Sequence, residues 1–407
     1  MLNKTNFISN TTVISSSFMN NLQDELILSQ AELGNIKQAI SANVLDYGVV
    51  EGLNADVTTN TKNFQKMVDE CVISNRVIYF PSGVFLLGQI NLGTKNNITI
   101  TGVSSSFASL MNKNINTGEI NDTFTRIVCC ASEGQPLFIH NNCVTVLNNL
   151  GIYNEYSGKG TGLRKNTILN TSGTNKEKGK VFTTECAFVG FNVGFGANIL
   201  VGESASSILQ TCVVANRCRF VNNGIAINQN VDGRLIDCSF NKNDYAMVFR
   251  QSSGFTTVNG CRIEWINKNG IYIDGGHHIT VTSTEFDRCG YAGLYVNNAI
   301  NCTFSGNMFR RNGADTTFDN TNYENNSHIV MKHSTGCILT NNNTVAKHIL
   351  DTSSGGATRP SNVSKIQGSS QCIITNNILT GCTKTNISDA NLWEGNANCV
   401  LANNVNS

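Results

Sequence analysis

The sequence of 407 residues is poor in charge, proline and tryptophan, and these shortages exclude several kinds of protein. Only 14% of the residues are charged, the formal net charge is +1, and no basic run stands out, so a nucleic-acid surface is not expected. No apolar run approaches the roughly 20 residues that a membrane-spanning helix needs. The opening stretch MLNKTNFISNTTVISSSF lacks the continuous apolar core of a signal peptide. We therefore expect synthesis in the cytoplasm and no membrane span.

Cysteine is abundant, but its spacing does not indicate a metal site. The 15 cysteines form an odd number and include no CxxC pair. We predict reduced thiols that pack as small apolar side chains, and neither a bound metal nor another cofactor. The many asparagines and glycines, with only 3 prolines, indicate numerous turns between short strands.

An internal repeat organises most of the chain. Phe240, Ile263, Phe286 and Phe309 follow one another at steps of 23 residues, and cysteines continue the frame towards the C-terminus at steps of 35. A second short strand follows in most units, as in GIYID and AGLYV. Short alternating segments with this period and no helical pattern predict an all-β fold, a parallel β-helix with one repeat per coil.

Residues of equal index in such a solenoid form ladders, because neighbouring coils lie about 4.8 Å apart. One ladder is predicted inside the solenoid, where its thiols serve packing. Its members are Cys186, Cys218, Cys238 and Cys261.

A second ladder brings two acids together on the outside. Ile263 and Phe286 point inward, so Glu264 and Asp287 point outward on adjacent coils. At about 5 Å and an effective dielectric of about 20, two carboxylates repel by ~3 kcal/mol. One of them is then expected to carry a proton near neutral pH, if it is partly desolvated. A protonated acid beside an ionised one is the arrangement that glycosidic cleavage uses. The full ladder is Val189, Val221, Asn241, Glu264, Asp287, Arg310 and Val345.

Further candidates surround this pair. Glu285 is the third candidate catalytic acid. Trp265, one of only two tryptophans, adjoins Glu264 and offers an apolar face for a sugar ring. The alternative is that the nearby arginines neutralise the acids in a surface salt-bridge ladder. The predicted substrate-binding residues are Arg262, Trp265, Arg288, Arg310 and Asn241.

Three other polar residues are given structural roles. Asp274 is interpreted as a turn cap, with Phe249 and Asn297 at its index on the neighbouring coils. His277 and His278 are adjacent, and adjacent side chains on a strand or turn are expected to point apart. No acid lies at the usual ligand spacing, so a metal site is not predicted there.

The first part of the chain differs from the repeats. Its apolar residues alternate at three- and four-residue steps over about three heptads. This pattern predicts a helix that either self-associates or packs as a cap, in a segment of residues 1–42, followed by a β-helix domain of residues 43–407. The positions are Met19, Leu22, Leu26, Ser29, Leu33, Ile36 and Ile40.

The stretch VLDYGVVEGLNADVTTNTKNFQKMVDEC, followed by RVIYFPSGVFLLGQINLGTKNNITITG, resembles the opening of pectate-lyase-like proteins. The resemblance implies a right-handed, single-stranded, pectin-lyase-like β-helix with a capping helix after its first strand. The acidic pair usual in that opening is replaced by Thr59 and Asn60. The fold hosts lyases, hydrolases and plain binders, so the resemblance does not fix the chemistry. The matching residues are Asp46, Tyr47, Gly48, Thr61, Gln65, Pro81 and Gly83.

The segment NFISNTTVISSSFMNNLQDEL resembles the N-terminal attachment region of phage tailspikes and preneck appendages. This resemblance implies a homotrimer in the virion, attached through its N-terminus to other virion proteins. It also implies a host cell-surface polysaccharide as partner: capsule, exopolysaccharide or teichoic acid. For catalysis it implies inversion, with a third acid assisting.

Four functions stay open from the sequence. The leading one is a depolymerase that hydrolyses the host glycan with paired carboxylates. The second is an adsorption protein that binds the same glycan without cleaving it. The third is a polysaccharide lyase, for which Arg262 or Arg288 is a candidate base. The fourth is a structural spacer.

Overall fold

A computed structural model describes the chain from Ser41 to Asn406 with gaps. The predicted heptad helix and the phage-like attachment segment lie outside the described residues, so both stay predictions. The described ranges are 41–93, 97–105, 124–140, 144–170, 180–196, 201, 211–251, 253–313, 327–345, 362–380 and 391–406.

The described residues form a parallel β-helix in which each complete coil contributes one strand to each of three sheets. Within each sheet every strand pairs in parallel with the strands of the coils before and after it. A short antiparallel hairpin, Glu155–Tyr156 with Lys159–Gly160, lies outside the three sheets. The architecture predicted from the repeat is confirmed.

The three sheets are named A, B and C in the order in which a coil passes through them. Sheet A consists of Ser41–Asn43, Val77–Tyr79, Asn97–Thr101, Val144–Asn148, Lys180–Thr184, Cys212–Asn216, Arg234–Ile236, Thr257–Asn259, Thr280–Thr282, Thr303–Ser305, Ile338–Thr340, Ile373–Thr375 and Val400–Ala402. Sheet B consists of Gly83–Leu87, Thr125–Cys129, Gly151–Tyr153, Ala187–Val189, Arg219–Val221, Ser239–Asn241, Arg262–Glu264, Glu285–Asp287, Met308–Arg310, Asn343–Val345, Ile378–Leu379 and Val405–Asn406. Sheet C consists of Ile90–Asn91, Pro136–Ile139, Thr167–Asn170, Val193–Phe195, Ile225–Asn228, Tyr245–Arg250, Ile271–Asp274, Leu294–Asn297, Ser327–Lys332, Asn362–Gln367 and Asn391–Glu394.

One α-helix, Val57–Ser74, is found among the described residues, with a 3₁₀ turn at Val44–Tyr47 before it. The Asp56 carboxylate caps the helix by accepting a hydrogen bond from the Thr59 amide at 2.7 Å. Its apolar face covers the first coils, where the Phe64 ring packs on another core phenylalanine. This is the predicted capping helix. No helix in the described part of the chain is long and apolar enough to cross a membrane.

The start of the solenoid lies close to the predicted domain boundary between residues 42 and 43. The strand Ser41–Asn43 spans that boundary and pairs in register with Val77–Tyr79 of sheet A. The described solenoid therefore includes residues on both sides of the boundary, and the division of the chain into two domains stays a prediction.

An interior ladder at the corner between sheets A and B changes its chemistry along the solenoid. It begins with the four predicted cysteines, which are buried and not joined in disulfides, and passes through Thr284 to asparagines. Each buried asparagine accepts hydrogen bonds from the asparagine before it: Asn342 Oδ1 lies 3.0 Å from both nitrogens of Asn307. The ladder is Cys186, Cys218, Cys238, Cys261, Thr284, Asn307, Asn342, Asn377 and Asn404.

The asparagine part of this ladder stabilises the coils by directional bonds. Asn342→Ala is expected to lower the free energy of unfolding by about 2–4 kcal/mol, because it leaves buried donors of Asn307 and the Phe304 carbonyl without partners. Urea denaturation measures the change. The control Thr340→Ala removes only a partly buried hydroxyl contact with Thr375 and should cost less. Equal losses in the two variants would contradict the role given to the ladder.

Candidate functional site

The candidate site lies on the outer surface of sheet B. Glu264 pairs with Asp287 on the next coil, and Asp287 pairs in turn with Arg310. The neighbouring outward position pairs Arg262 with Glu285. The predicted ladder from Val189 to Val345 is confirmed in its entire register. We call this surface the charged face; its residues are Arg262, Glu264, Trp265, Glu285, Asp287, Arg288, Arg310 and Arg311.

Two of the three predicted acids reach solvent on the charged face. The Glu264 carboxylate accepts from Asn241 Nδ2 at 3.0 Å and from Arg262 Nη2 at 2.9 Å, and its side chain is 15% exposed. The Glu285 side chain is 32% exposed and pairs with Arg310. Arg262 Nε lies 4.0 Å from Glu285 Oε2, so one guanidinium stands between the two carboxylates.

Asp287, in contrast, is completely buried beneath arginines. Arg288 Nη1 lies 2.9 Å and Arg310 Nη2 3.2 Å from its Oδ2, while Arg311 donates from Nε to Oδ1 at 2.7 Å and from Nη2 to Oδ2. The prediction that Asp287 faces a substrate is therefore wrong: its carboxylate has no exposed surface, and both oxygens accept from guanidinium groups. For Asp287 the alternative, neutralisation by arginines, describes the structure.

The corner that follows sheet B holds bulky residues in a strained conformation. Trp265, Arg288 and Arg311 have φ of 53°, 57° and 53°, in the left-handed region that favours glycine and asparagine. The same corner holds Gly190 and Asn222 in other coils. Strain of this kind concentrates at functional sites, which supports a role for these three side chains.

The tryptophan at this corner presents a partly exposed ring. The Arg288 guanidinium lies 4.3 Å from the ring centroid of Trp265, whose exposed fraction is 40%. Burial lowers the pKa of Arg288 from its ordinary value, while Asp287 acts in the opposite direction. The stacked guanidinium holds the indole in place, and the ring stays available to a ligand on its exposed side.

Sequence analysis missed one arginine of this surface. Arg219 lies on the ladder that continues through Ser239 to Arg262 and Glu285. It is nearly buried; burial lowers its pKa, and the charge of Glu264 raises it. The signal was available: the ladder one index before Asn241 and Glu264 gives Ser239, and Arg219 one coil earlier.

Asp274 lies away from the charged face, at the end of a strand in sheet C. Its carboxylate accepts from Asn297 Nδ2 at 2.9 Å and from Asn298 Nδ2 at 3.4 Å, which suits the predicted structural role. Its partner on the preceding coil is Arg250 and not Phe249, which pairs with Ile273. The predicted index was therefore wrong by one residue on this side.

The two adjacent histidines also differ from the prediction. The Nδ1 atoms of His277 and His278 lie 3.2 Å apart, because His278 has a φ of 51° and both rings turn to the same side. No group of three or more His, Cys, Asp or Glu side chains in the described ranges is arranged to hold a metal ion. The histidine pair lies between sheets C and A, on another side of the solenoid from sheet B.

Comparison with solved structures gives several neighbours of the same fold. The enzymatically active domain of tailspike protein 2 from bacteriophage CBA120 superposes with a TM-score of 0.59 and 16% identity over 88% of this chain. This chain covers 52% of that domain. A DFA-IIIase from Arthrobacter chlorophenolicus A6 has a TM-score of 0.59 and 11% identity over 89% of this chain and 94% of its own. At such identities the likeness concerns the fold.

A third neighbour is the A-module of a mannuronan C-5 epimerase from Azotobacter vinelandii, with a TM-score of 0.51 and 11% identity over 90% of this chain and 100% of the module. A family model described as the right handed beta helix region matches residues 191–359 and 248–406. The two matches together cover more than half of the chain, and they include the whole charged face. The handedness implied by the resemblance is thereby confirmed, and the chain belongs to the right-handed β-helix family.

Proposed function

We propose that the chain binds and hydrolyses a glycan on the charged face. The observation that carries the proposal is the pair of partly exposed carboxylates, Glu264 and Glu285, on adjacent strands with Arg262 between them. Both acids stand on strands held by neighbouring coils, and a rigid scaffold is what a catalytic pair requires.

The spacing of the two acids suits hydrolysis with inversion. Glu264 and Glu285 are diagonal neighbours across two parallel strands, and such positions lie roughly 7–8 Å apart. A separation of about 6.5–9.5 Å leaves room for a water between a general base and the scissile bond. One carboxyl group then protonates the leaving oxygen while the other activates this water. Asp287 acts as a positioning residue that holds Arg288, Arg310 and Arg311.

The proposed substrate is an acidic glycan. Near the three acids of the face stand five guanidinium groups, and two arginines exceed what these carboxylates neutralise. Arg262 and Arg310 are the more exposed of them. Binding to an anionic polymer should therefore weaken as the salt concentration rises. The five arginines are Arg219, Arg262, Arg288, Arg310 and Arg311.

The test uses the full chain and a panel of acidic bacterial polymers: capsule, exopolysaccharide and teichoic acid. After incubation, size-exclusion chromatography follows polymer length and a reducing-end assay follows cleavage. Shortening with new reducing ends supports hydrolysis. An unsaturated product absorbing in the ultraviolet indicates a lyase instead. A panel in which no polymer is bound or shortened would overturn the proposal.

Binding without cleavage is the second candidate, and one observation favours it. Each exposed acid is already paired with an arginine, Glu264 with Arg262 and Glu285 with Arg310. Acids held in this way serve to orient arginines towards an anionic ligand. Polymer that is retained by the protein at unchanged length would identify an adsorption protein.

The exposed indole gives a separate prediction. Trp265→Asn is expected to weaken glycan binding at least about tenfold, because the sugar loses its stacking surface. The variant should keep its stability, since asparagine tolerates the left-handed conformation that Trp265 adopts. Binding isotherms and thermal melts measure the two effects. Unchanged affinity would remove Trp265 from the binding surface.

We further propose that the chain is a homotrimeric phage tailspike or preneck appendage, attached to other virion proteins through its N-terminus and directed at the host cell surface. The attachment-like segment in residues 1–42 and the fold shared with a tailspike domain support this role. Sedimentation of the full chain and adsorption to host cells test it. A monomer that ignores the cell surface would argue against the virion role.

A further inference from the structure

A compact cluster of three rings lies at the corner between sheets C and A, apart from the charged face. His277 belongs to a column of single bridges that runs from Gly254 through His277 to Ile300. Phe255 and His278 follow the bridge residues on their coils, with φ of 49° and 51°. Phe255 is 56% exposed and His278 is exposed as well. Nothing in the proposed glycan chemistry uses these rings.

Two bulky side chains occupy left-handed positions here where the other coils carry small or polar residues. The corner holds Asp232 before Phe255 and Asn301 after His278, followed by Gly336. Phenylalanine in this region is a conformational outlier and costs stability. An exposed outlier of this kind indicates that the ring has a task beyond packing the core.

The task suggested by the contacts is to hold the two imidazoles. The Phe255 ring stacks on His278, with centroids 4.8 Å apart and planes 10° apart, and meets His277 edge-on at 5.1 Å. Beneath His277 lies Gly254, where an added Cβ would come within 2.5 Å of the His277 Nδ1. The coil below is thus hollowed by a glycine to receive one imidazole, while an aromatic ring orients the other.

The result is a pair of nitrogens at the distance that a chelated metal ion requires. His277 Nδ1 and His278 Nδ1 lie 3.2 Å apart. An ion bound at 2.0–2.1 Å from each, off the line that joins them, subtends an angle of roughly 100° at the metal, close to tetrahedral. Imidazole pairs suit Zn²⁺, Cu²⁺ and Ni²⁺ and do not suit Ca²⁺ or Mg²⁺.

We propose that His277 and His278 form a two-histidine chelate for a divalent transition-metal ion. Water completes the coordination, since both rings lie at the surface and no third His, Cys, Asp or Glu of the described residues joins them. Phe255 and Gly254 are positioning residues: they fix the two rings and contribute no ligand atom. The site is independent of the glycan proposal.

The test is titration of the untagged full chain with Cu²⁺, followed by calorimetry and electron paramagnetic resonance. We expect one ion per chain whose spectrum reports two imidazole nitrogens. His277→Ala and His278→Ala should each weaken binding at least tenfold and leave a one-nitrogen spectrum. Phe255→Ala should weaken binding several-fold and keep the two-nitrogen spectrum, because it releases the rings without removing a ligand.

The matched control is His333→Ala. His333 is also exposed and has a φ of 48°, but it lies on a different coil and has no adjacent histidine, so its removal should leave Cu²⁺ affinity unchanged. Thermal melts of all four variants check that the fold is intact. Equal Cu²⁺ affinity in the wild type and the two histidine variants would overturn the proposal, as would a one-nitrogen spectrum in the wild type.

Discussion

Glu264→Gln is expected to reduce glycan cleavage at least about 100-fold while leaving binding nearly intact. Glutamine keeps the size of the side chain and can still accept from Asn241 and Arg262, but it cannot transfer a proton. Glu285→Gln should produce a loss of similar size, because inversion needs both an acid and a base. Reducing-end release per unit time, at saturating polymer, measures both variants.

The control for these substitutions is Glu185→Gln. Glu185 also pairs with an arginine, Arg217 at 2.8 Å, but both side chains are largely exposed and lie outside the charged face. Cleavage should be unchanged in this variant. If Glu264→Gln and Glu285→Gln both cleave at the wild-type rate, the acids serve binding and the adsorption hypothesis takes precedence.

Asp287→Asn is expected to have the largest effect on stability, lowering the free energy of unfolding by about 3–5 kcal/mol. The substitution removes the one negative charge that Arg288, Arg310 and Arg311 share, and it leaves buried guanidinium groups uncompensated. The shift of the urea midpoint measures the effect. Glu185→Gln is again the comparison and should cost less than about 1 kcal/mol, because its ion pair is exposed.

This variant also separates a structural role of Asp287 from a catalytic one. At a temperature where the protein is folded, Asp287→Asn should retain more cleavage activity than Glu264→Gln, since Asp287 has no exposed surface. Activity as low as that of Glu264→Gln, in a fully folded protein, would restore Asp287 as a catalytic candidate.

The register of sheet B was predictable because its coils repeat at a constant interval. Asn241, Glu264 and Asp287 differ by 23 residues each, and their pairing follows directly. The same interval failed on sheet C, where Arg250 and Asp274 differ by 24. The loop before the second strand is one residue longer and the loop after it one residue shorter, so the total is unchanged at the next corner. A constant period cannot show such an exchange.

The burial of Asp287 was not predictable, although its outward direction was. Alternation along a strand tells which side a residue faces, but not what covers it there. The cover comes from long side chains such as Arg311, which starts from a left-handed corner residue and reaches back to the preceding coil. For the same reason the convergence of His277 and His278 was missed: one left-handed residue cancels the alternation.

The change from thiols to amides in the interior ladder has a consequence for how the solenoid loses its structure. Thr284, where the change occurs, directly precedes Glu285, so the reactive surface sits above the junction. Each coil contacts mainly its two neighbours, so opening can proceed coil by coil. Opening that starts at the coil of Asn404 must break the amide bonds of Asn377 and Asn342 before it reaches the acids. Partial denaturation from that side therefore shortens the rod while the enzyme-like surface is still assembled.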